Sequence, residues 1–339
     1  MTWFEKLFGF KEESPDQVRA NLEWQGTSIY SKATGGSFEV GTLEIPSLEE
    51  LRGRYIEKTK PSKIQLREVL GDVKDYHRNP ENAGALFQAA SQFNLLEMVH
   101  QGITPEMGIG RYEYDLTQGP ACAIACGAGT LFRNYLIPVD GQIGQTKDQQ
   151  IDCLAQIGQA LDNPSRQLWS MQNGYALLSE EGLSIINQEL ERLDAIELEF
   201  LKGKLQVGLQ KDTEVTISAS KHLVSQVYCS ALPVAYSQIY PNLWEQFARL
   251  ILEATYEATL LLAYENYLKT HNPKVFLTLV GGGAFGNYFE WIIDAIVKAI
   301  LKYQHLPLEL IFVSYSAPAW EVREVCRRVE ELEGSGLGA

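Results

Sequence analysis

A run of glycines separates a strongly apolar segment from an amphipathic one near the carboxyl end of the chain. The stretch from Lys274 to Ile300 reads KVFLTLVGGGAFGNYFEWIIDAIVKAI, so three consecutive glycines follow a predicted strand and precede a predicted helix. Glycine loses more backbone freedom on folding than any other residue, so three in a row indicate that a bare backbone is needed there. A strand-to-helix loop can turn its amides toward an anion, and the helix amino terminus adds partial positive charge. We therefore expect this loop to bind a phosphate-bearing ligand.

Two familiar phosphate motifs do not fit the loop. A dinucleotide-binding turn is accompanied by an acidic residue at the end of a second strand downstream, and a P-loop continues with Gly-Lys-Ser/Thr; neither feature is present here. The plain alternative is a tight turn that needs positive φ, with the asparagine at its end only capping the helix. Three glycines in succession favour the ligand, and the predicted ligand-binding residues of the loop are Gly281, Gly282, Gly283, Ala284, Phe285, Gly286 and Asn287.

Polar groups at the ends of two other predicted strands suit a sugar or a base. The segment FQAASQFNLLEM delivers Gln88, Ser91 and Asn94 in quick succession. Neutral side chains of this kind hydrogen-bond sugar hydroxyls, or else only their own loop backbone. Asp72 follows the strand SKIQLREVL, where its carboxylate suits either an exocyclic amine or an Asx turn.

Small residues fill nearly every position from Gly119 to Thr130, which suits helix packing and ligand contact about equally. Under the second interpretation Gly127 and Gly129 contact the ligand. No Ser–His–Asp set and no metal-ligand spacing is readable among the five histidines, so we predict no metal site. Carboxylates that could activate water cluster between positions 97 and 152; they are Glu97, Glu106, Glu113, Asp115, Asp148 and Asp152.

Composition restricts the class of protein. The chain has 339 residues and a net charge of −14 at pH 7, which counts against a broad DNA-binding or RNA-binding face. Five cysteines scattered through apolar segments indicate reduced thiols and a cytoplasmic location. No apolar run of about 18 residues is present, and the amino terminus lacks a signal-peptide pattern, so we expect no membrane span.

Hydrophobic periodicity predicts an α/β fold, with a mixed or parallel sheet flanked by helices on both faces. Ligands of such sheets bind outside the carboxyl ends of the strands. The loops that follow Val73, Ala89, Ala235 and Val280 should then share one rim. The other predicted elements are helices within 1–20, a hairpin around Gly35–Gly36, a helix over 48–58, an irregular loop over 97–118, helices from Pro120, over 146–162, over 179–193 and over 243–269, strands over 204–210, 224–236 and 308–316, and a closing helix over 319–332.

In the order of these elements the chain resembles the macrodomain, an ADP-ribose-binding module, and more distantly the poly(ADP-ribose) glycohydrolases. The segment REVLGDVKD resembles the first-strand motif of the family, which implies that Asp72 contacts adenine. The segment GALFQAASQFNLLE resembles the family's asparagine-rich strand and loop, with Gln88 and Ser91 where asparagines are usual. This implies that Asn94 positions the distal ribose.

Two later pieces extend the resemblance. The segments VSQVYCSALPVAY and WEQFARLILEATYEATLLLA resemble the strand and penultimate helix of the family. The segment FLTLVGGGAFGNYFEWIIDAI resembles its last phosphate loop, which implies that Gly282, Gly283, Phe285 and Gly286 face the diphosphate and the stacked ribose. The glycohydrolase signature with its two glutamates is missing, and an insertion over 97–205 separates the two halves.

The resemblance implies a macrodomain-like core that binds ADP-ribose or a related nucleotide without a cofactor. Three functions stay open: hydrolysis of an ADP-ribosyl linkage, a non-catalytic sensor or reader, and another nucleotide-handling enzyme on an α/β sheet. For hydrolysis the candidate catalytic residues are Asn94, Glu113, Asp115 and Asp152. The expected organisation is an amino-terminal extension over 1–60, an α/β domain over 61–330 that contains the insertion over 97–205, and a flexible tail over 331–339.

Overall fold

A seven-stranded mixed sheet forms the centre of the computed structural model, which describes residues 1–60 and 62–334. The strands in chain order are β1 (Leu22–Gln25), β2 (Ser28–Ser31), β3 (Ser37–Glu39), β4 (Thr42–Glu44), β5 (Gln65–Leu70), β6 (Leu86–Ala90), β7 (Pro138–Val139), β8 (Gln142–Ile143), β9 (Trp169–Gln172), β10 (Tyr175–Leu178), β11 (Gly208–Glu214), β12 (Leu223–Cys229), β13 (Lys274–Leu277) and β14 (Glu309–Ser314).

Helices of very different length surround the sheet. They are α1 (Trp3–Phe8), α2 (Pro15–Ala20), α3 (Leu48–Arg54), α4 (Val73–Arg78), α5 (Gln118–Ala125), α6 (Gly127–Leu131), α7 (Ala155–Ala160), α8 (Asn163–Arg166), α9 (Glu180–Arg192), α10 (Ala195–Gly203), α11 (Pro241–Thr270), α12 (Phe289–Lys302) and α13 (Trp320–Gly334). Short 3-10 turns cover Pro80–Asn82, Pro105–Met107, Gly110–Tyr114 and Val234–Tyr236, and a π-helical turn covers Phe132–Leu136.

The strand order explains why several loops meet at one edge. The order across the sheet is β4-β11-β12-β6-β13-β14-β5. The last five strands of that series run parallel to one another, whereas β11 is antiparallel to both of its neighbours. The loops that follow β5, β6, β12 and β13 therefore lie at the same edge, so the rim predicted from the sequence is confirmed.

Helices cover both faces of the sheet, as the sequence predicts. The ring of Phe87 in β6 stacks on His77 of α4 with 3.7 Å between the ring centroids. The next residue, Gln88, donates a hydrogen bond to Thr259 of α11. Because successive residues of a strand point to opposite faces, α4 and α11 lie on opposite sides of the sheet. The α11 helix packs against α3, α9 and α12, and buries most of its residues in the main apolar core.

The amino-terminal extension has an apolar cluster of its own. Thr2 and Glu5 form a capping box at α1, and Trp3, Phe4 and Phe8 are buried. These rings belong to a cluster that also contains residues of α6 and the π-helical turn, so α1 docks on the insertion rather than on the sheet. The hairpin predicted around Gly35–Gly36 is confirmed as β2 and β3. Within the described residues no helix is both long enough and apolar enough to cross a membrane.

The prediction of a helix over 146–162 is wrong for most of its length. Only Ala155–Ala160 is helical, because polar side chains of the preceding segment bond to its backbone instead. The Oε1 atom of Gln145 accepts a hydrogen bond from the amide of Ile151, and Asp152 Oδ1 accepts one from the amide of Leu154. Asp152 therefore stands just before the helix rather than on it.

Other predicted boundaries also change. The helix predicted from Pro120 begins two residues earlier and breaks at Cys126, next to the weak helix former Gly127, before it continues as α6 and the π-helical turn. The loop predicted over 97–118 contains two of the 3-10 turns. The closing helix extends to Gly334, so the first four residues of the predicted tail are helical, and residues 335–339 lie outside the described residues.

Candidate active site

A cavity of about 220 Å³ opens at the carboxyl ends of β6, β12 and β13. This volume is smaller than a pocket that encloses a whole drug-sized ligand, so the cavity suits a sugar or phosphate group of a ligand that continues along the rim. The cavity is lined by Ala90, Ser91, Gln92, Glu97, Met98, Val99, Asp115, Thr117, Gln118, Gly119, Pro120, Tyr175, Ala231, Tyr236, Thr278, Leu279, Val280, Gly281, Gly283, Ala284 and Phe285.

The glycine loop, which we define as residues 278–288, is anchored at its entrance by α11. The buried hydroxyl of Tyr256 donates a hydrogen bond of 2.8 Å to the carbonyl of Thr278 and accepts one of 2.9 Å from the amide of Val280. Near the exit, Asn287 Nδ2 donates to the carbonyl of Leu232. These bonds fix both ends of the loop to neighbouring elements.

The middle of the glycine loop leaves four backbone amides available. The amides of Gly281, Gly283, Ala284 and Phe285 have no protein acceptor among the residues that the structure describes, and all four residues line the cavity. The loop's shape is kept instead by bonds from the amides of Gly282 and Gly286. A set of amides that face one concave surface is a ready site for an anion such as phosphate.

The individual glycines are required for different reasons. Gly281 and Gly286 have φ values of +80° and +69°, which favour glycine. Gly282 does not have a φ in that range, but a Cβ there would lie 2.8 Å from the ring of Phe289. At Gly283 φ is ordinary and no protein atom lies within 4 Å of a Cβ, so the protein itself gives no reason for glycine. The tight-turn explanation thus accounts for the neighbouring glycines but not for Gly283.

A buried carboxyl group forms another wall of the cavity. Glu97 is 2% exposed, and its Oε1 atom has no hydrogen-bond partner among the described residues. A Cβ at Gly119, the start of α5, would lie 2.3 Å from Oε2 of Glu97, so the glutamate fills the space that a side chain at position 119 would need. Burial of a polar group without a partner is costly, which makes this carboxyl a strong candidate for a ligand contact.

The surroundings of Glu97 oppose its ionisation. Burial raises its pKa well above the ordinary range, Arg133 acts in the opposite direction, and Asp115 raises the pKa further. Arg133 is fully buried and is held by other groups: its guanidinium donates to the carbonyl of Leu95 and to Thr130, and it stacks 3.6 Å from the ring centre of Tyr228. It forms no ion pair within 4 Å of a described carboxylate, so it does not neutralise Glu97 directly.

Three aromatic rings surround the mouth of the cavity. Tyr175, Tyr236 and Phe285 lie 5.1 to 5.6 Å apart between ring centroids. The hydroxyl of Tyr175 donates a 2.5 Å hydrogen bond to the carbonyl of Met98, which joins the β9–β10 hairpin of the insertion to the segment that carries Glu97. The insertion thus supplies part of the site.

Some predicted site residues meet at the cavity. The predicted residues that line it are Ser91, Asp115, Gly281, Gly283, Ala284 and Phe285. The hydrogen bonds of Asn287, Gly282 and Gly286 hold the loop in shape, and these three residues lie outside the cavity lining. Gln88 is fully buried beneath the cavity, where its Nε2 donates to Thr259 and its Oε1 accepts from the amide of Thr278.

The structure places the other predicted residues away from the cavity lining. Asn94 is fully buried; it donates to Gln150 and accepts from the amide of Leu96. Asp72 caps α4 and forms an ion pair with Lys74. Burial raises the pKa of Asp152.

The amino-terminal extension accounts for other predicted residues. Glu113 accepts a hydrogen bond from the amide of Trp3. A Cβ at Gly127 would lie 2.6 Å from the ring of Trp3, and one at Gly129 would lie 2.7 Å from Thr213 Oγ1. Close packing explains these two glycines without a ligand.

Sequence reasoning did not select several residues of the cavity. Glu97 is one of the six acidic candidates but is not among the predicted catalytic residues. It is the only charged residue in the segment FNLLEMV, and this is the signal that marks it in the sequence. Gln118, Tyr175 and Tyr236 carry no local pattern that marks them. Gln118 bonds to both Ala90 and Gln88 and so closes the end of β6. In the part of the chain that the structure describes, no three His, Cys, Asp or Glu side chains form a group that could hold a metal ion.

Comparison with known proteins gives fold likenesses only. No protein-family model and no curated protein matches the chain. Among solved structures, poly(ADP-ribose) glycohydrolase from Thermomonospora curvata is 10% identical with a TM-score of 0.44, over 92% of this chain and 95% of that chain.

Two further likenesses are of the same kind. Poly(ADP-ribose) glycohydrolase from Deinococcus radiodurans in complex with ADP-ribose is 12% identical with a TM-score of 0.41, over 86% of this chain and 94% of that chain. A mutant Oceanobacillus iheyensis macrodomain is 10% identical with a TM-score of 0.38, over 82% and 97% of the two chains. These proteins belong to the families that the sequence motifs resemble. At such scores the function must be argued from the chain's own residues.

Proposed function

We propose that the cavity binds the diphosphate and distal ribose of ADP-ribose or a related nucleotide. The four available amides of the glycine loop carry this proposal, because their residues line the cavity and no acceptor in the described part of the protein engages them. Among the described residues, no Lys, Arg or His side chain lines the cavity, so the amides are its means of holding an anion. The motif resemblance in the sequence supports ADP-ribose as the ligand class.

We further propose that the bound ligand is hydrolysed at its ADP-ribosyl linkage. A water molecule attacks the anomeric carbon of the distal ribose, and the leaving group departs with the electron pair of the broken bond. A carboxylate takes the proton that the water releases, and the leaving group takes up a proton from solvent. Asp115 is suited to this role because it lines the cavity and is only partly buried, so water reaches it. Its Oδ1 atom accepts a bond from the amide of Thr117, which holds the carboxylate in place.

The test separates binding from turnover. Isothermal titration of the protein with ADP-ribose, with AMP as the control that lacks the diphosphate and distal ribose, should show binding of ADP-ribose and much weaker binding of AMP. Lack of ADP-ribose binding at millimolar concentration would refute the proposal. Release of ADP-ribose from ADP-ribosylated protein tests hydrolysis, and Asp115→Asn should abolish release while ADP-ribose still binds.

A second candidate is a non-catalytic reader of ADP-ribosylated molecules. The placement of Asn94, Glu113 and Asp152 favours it, because each of these predicted catalytic side chains is engaged in a hydrogen bond to the protein outside the cavity lining. Tight binding of an ADP-ribosylated protein without any release of ADP-ribose would select the reader over the hydrolase.

A further inference from the structure

The cavity has two walls of opposite character. The glycine loop presents amide hydrogens, which carry partial positive charge, whereas the facing segments present the carboxyl groups of Glu97 and Asp115. No basic side chain of residues 1–60 and 62–334 lines the space between them. A ligand that carries only negative charge is complementary to one wall alone.

The unpartnered carboxyl of Glu97 sets the requirement on the second wall. Arg133, the cation that acts on it, is bound elsewhere, and Oε1 of Glu97 meets no donor in the described part of the protein. A buried carboxyl is stabilised either by keeping its proton or by a cation close to it. The protein does not supply that cation, and the side chain lies in the wall of a ligand cavity.

We propose that the cavity recognises a cationic nitrogen-linked group on the distal ribose of its ligand, with the carboxylates of Glu97 and Asp115 as counter-charges. This inference rests on the proposed binding of an ADP-ribosyl ligand and names the substrate class within it. Two groups share the chemistry: the guanidinium of an ADP-ribosylated arginine, which pairs with a carboxylate through parallel hydrogen bonds, and the pyridinium ring of NAD⁺. The rings of Tyr175, Tyr236 and Phe285 at the mouth favour a planar cation further.

Binding of a cation to a protonated carboxyl releases the proton. Burial raises the pKa of Glu97 well above its ordinary range, and a cation that arrives at the carboxyl favours loss of the proton. Proton release on binding is therefore a second signature of this recognition. The titratable or charged groups that act on Glu97, or on which Glu97 acts, are Arg133, Asp115, Tyr112, Cys122, Tyr175, Tyr228 and Cys229.

Isothermal titration of the full chain with two matched ligand pairs tests the inference. NAD⁺ and NADH differ in the charge of the nicotinamide ring, and an ADP-ribosylated arginine peptide is compared with ADP-ribose. In at least one pair the cationic member should bind about tenfold more tightly, a ratio that corresponds to about 1.4 kcal/mol of attraction between the cation and the carboxylate. The pair that shows the preference identifies pyridinium or guanidinium as the source. Titrations in two buffers with different ionisation enthalpies measure the proton release.

Glu97→Gln keeps the size of the side chain but cannot ionise, so its preference for the cationic member should be much smaller, with only Asp115 left as counter-charge, and the proton release should be lost. Glu81→Gln removes the same charge from an exposed position outside the cavity and should retain the full preference. Equal binding within both pairs by the unaltered protein, or an undiminished preference in Glu97→Gln, would overturn the inference while leaving ADP-ribose binding intact. Failure of every ligand to bind would refute the proposed function as well.

Discussion

Gly283 offers the clearest separation of ligand binding from folding. It lines the cavity, its φ lies outside the left-handed region, and no protein atom lies within 4 Å of a Cβ. Substitution of a glycine whose backbone suits other residues stabilises a protein by about 0.4–1 kcal/mol, because the unfolded chain loses freedom. We therefore expect Gly283→Val to fold with unchanged or slightly higher stability.

The same substitution should weaken binding strongly. The Cβ and its methyl groups would stand where a phosphate must approach the amides of Gly283 and Ala284. Loss of one or two charge-assisted hydrogen bonds costs about 3 kcal/mol, which corresponds to roughly a hundredfold weaker binding of ADP-ribose. Isothermal titration measures the affinity, and urea unfolding followed by circular dichroism measures the stability.

Gly281→Ala is the matched comparison. Its φ of +80° and the 2.5 Å approach of a Cβ to Ala231 predict a loss of stability of about 2–4 kcal/mol, from backbone strain and overpacking together. If Gly283→Val binds ADP-ribose as the unaltered protein does, the glycine loop does not hold the diphosphate. If Gly283→Val instead unfolds as readily as Gly281→Ala, the protein has no free space for a side chain at position 283.

Three further predictions concern titration and loop anchoring. The pKa of Glu97 is raised in the folded state, so its stabilising effect is complete below about pH 4.3 and is lost as the pH rises. Glu97→Gln should therefore flatten the decline in unfolding free energy above about pH 4.3, and parallel profiles would contradict this. Burial lowers the pKa of His77 to about 4, so the stability that this group contributes above about pH 6.5 should fall by about 3 kcal/mol on acidification toward pH 4. Unfolding titrations of His77→Gln should lack this loss of free energy. An equal loss in the variant would rule out His77 as its source. Tyr256→Phe removes both hydrogen bonds at the entrance of the glycine loop and should cost about 1–3 kcal/mol of stability and weaken ADP-ribose binding by calorimetry. Tyr267→Phe on the same helix should change neither, and identical behaviour of the two variants would show that this anchor is unimportant.

The sequence predicts the sheet and its rim because parallel, buried strands are short apolar runs that end at glycine or polar residues. β6, β13 and β14 follow this pattern, and their carboxyl ends meet as expected. The helix over 146–162 fails for the opposite reason. Its apolar spacing is helical, but glutamine, threonine and aspartate side chains satisfy the backbone of a loop there, and periodicity carries no information on that competition.

The site is predicted where it is local and missed where it is assembled from distant segments. The glycine loop is contiguous, so its composition reveals it. Glu97, Gln118 and Tyr175 come together only because the insertion folds back over the end of β6. The packing roles of Gly127 and Gly129 likewise depend on distant segments, which are the amino-terminal helix for Gly127 and β11 for Gly129.

The alternation of bonded and available amides in the glycine loop has a consequence for hydrogen exchange. The amides of Val280, Gly282, Gly286 and Asn287 have acceptors within the protein, whereas the amides of Gly281 and of residues 283–285 have none among the residues that the structure describes. Exchange with deuterated water should therefore be slow and fast by turns along a single short loop, a pattern distinct from uniform local unfolding. A ligand that occupies the cavity should slow only the fast set, so the residues that hold an anion can be identified one by one in the intact protein.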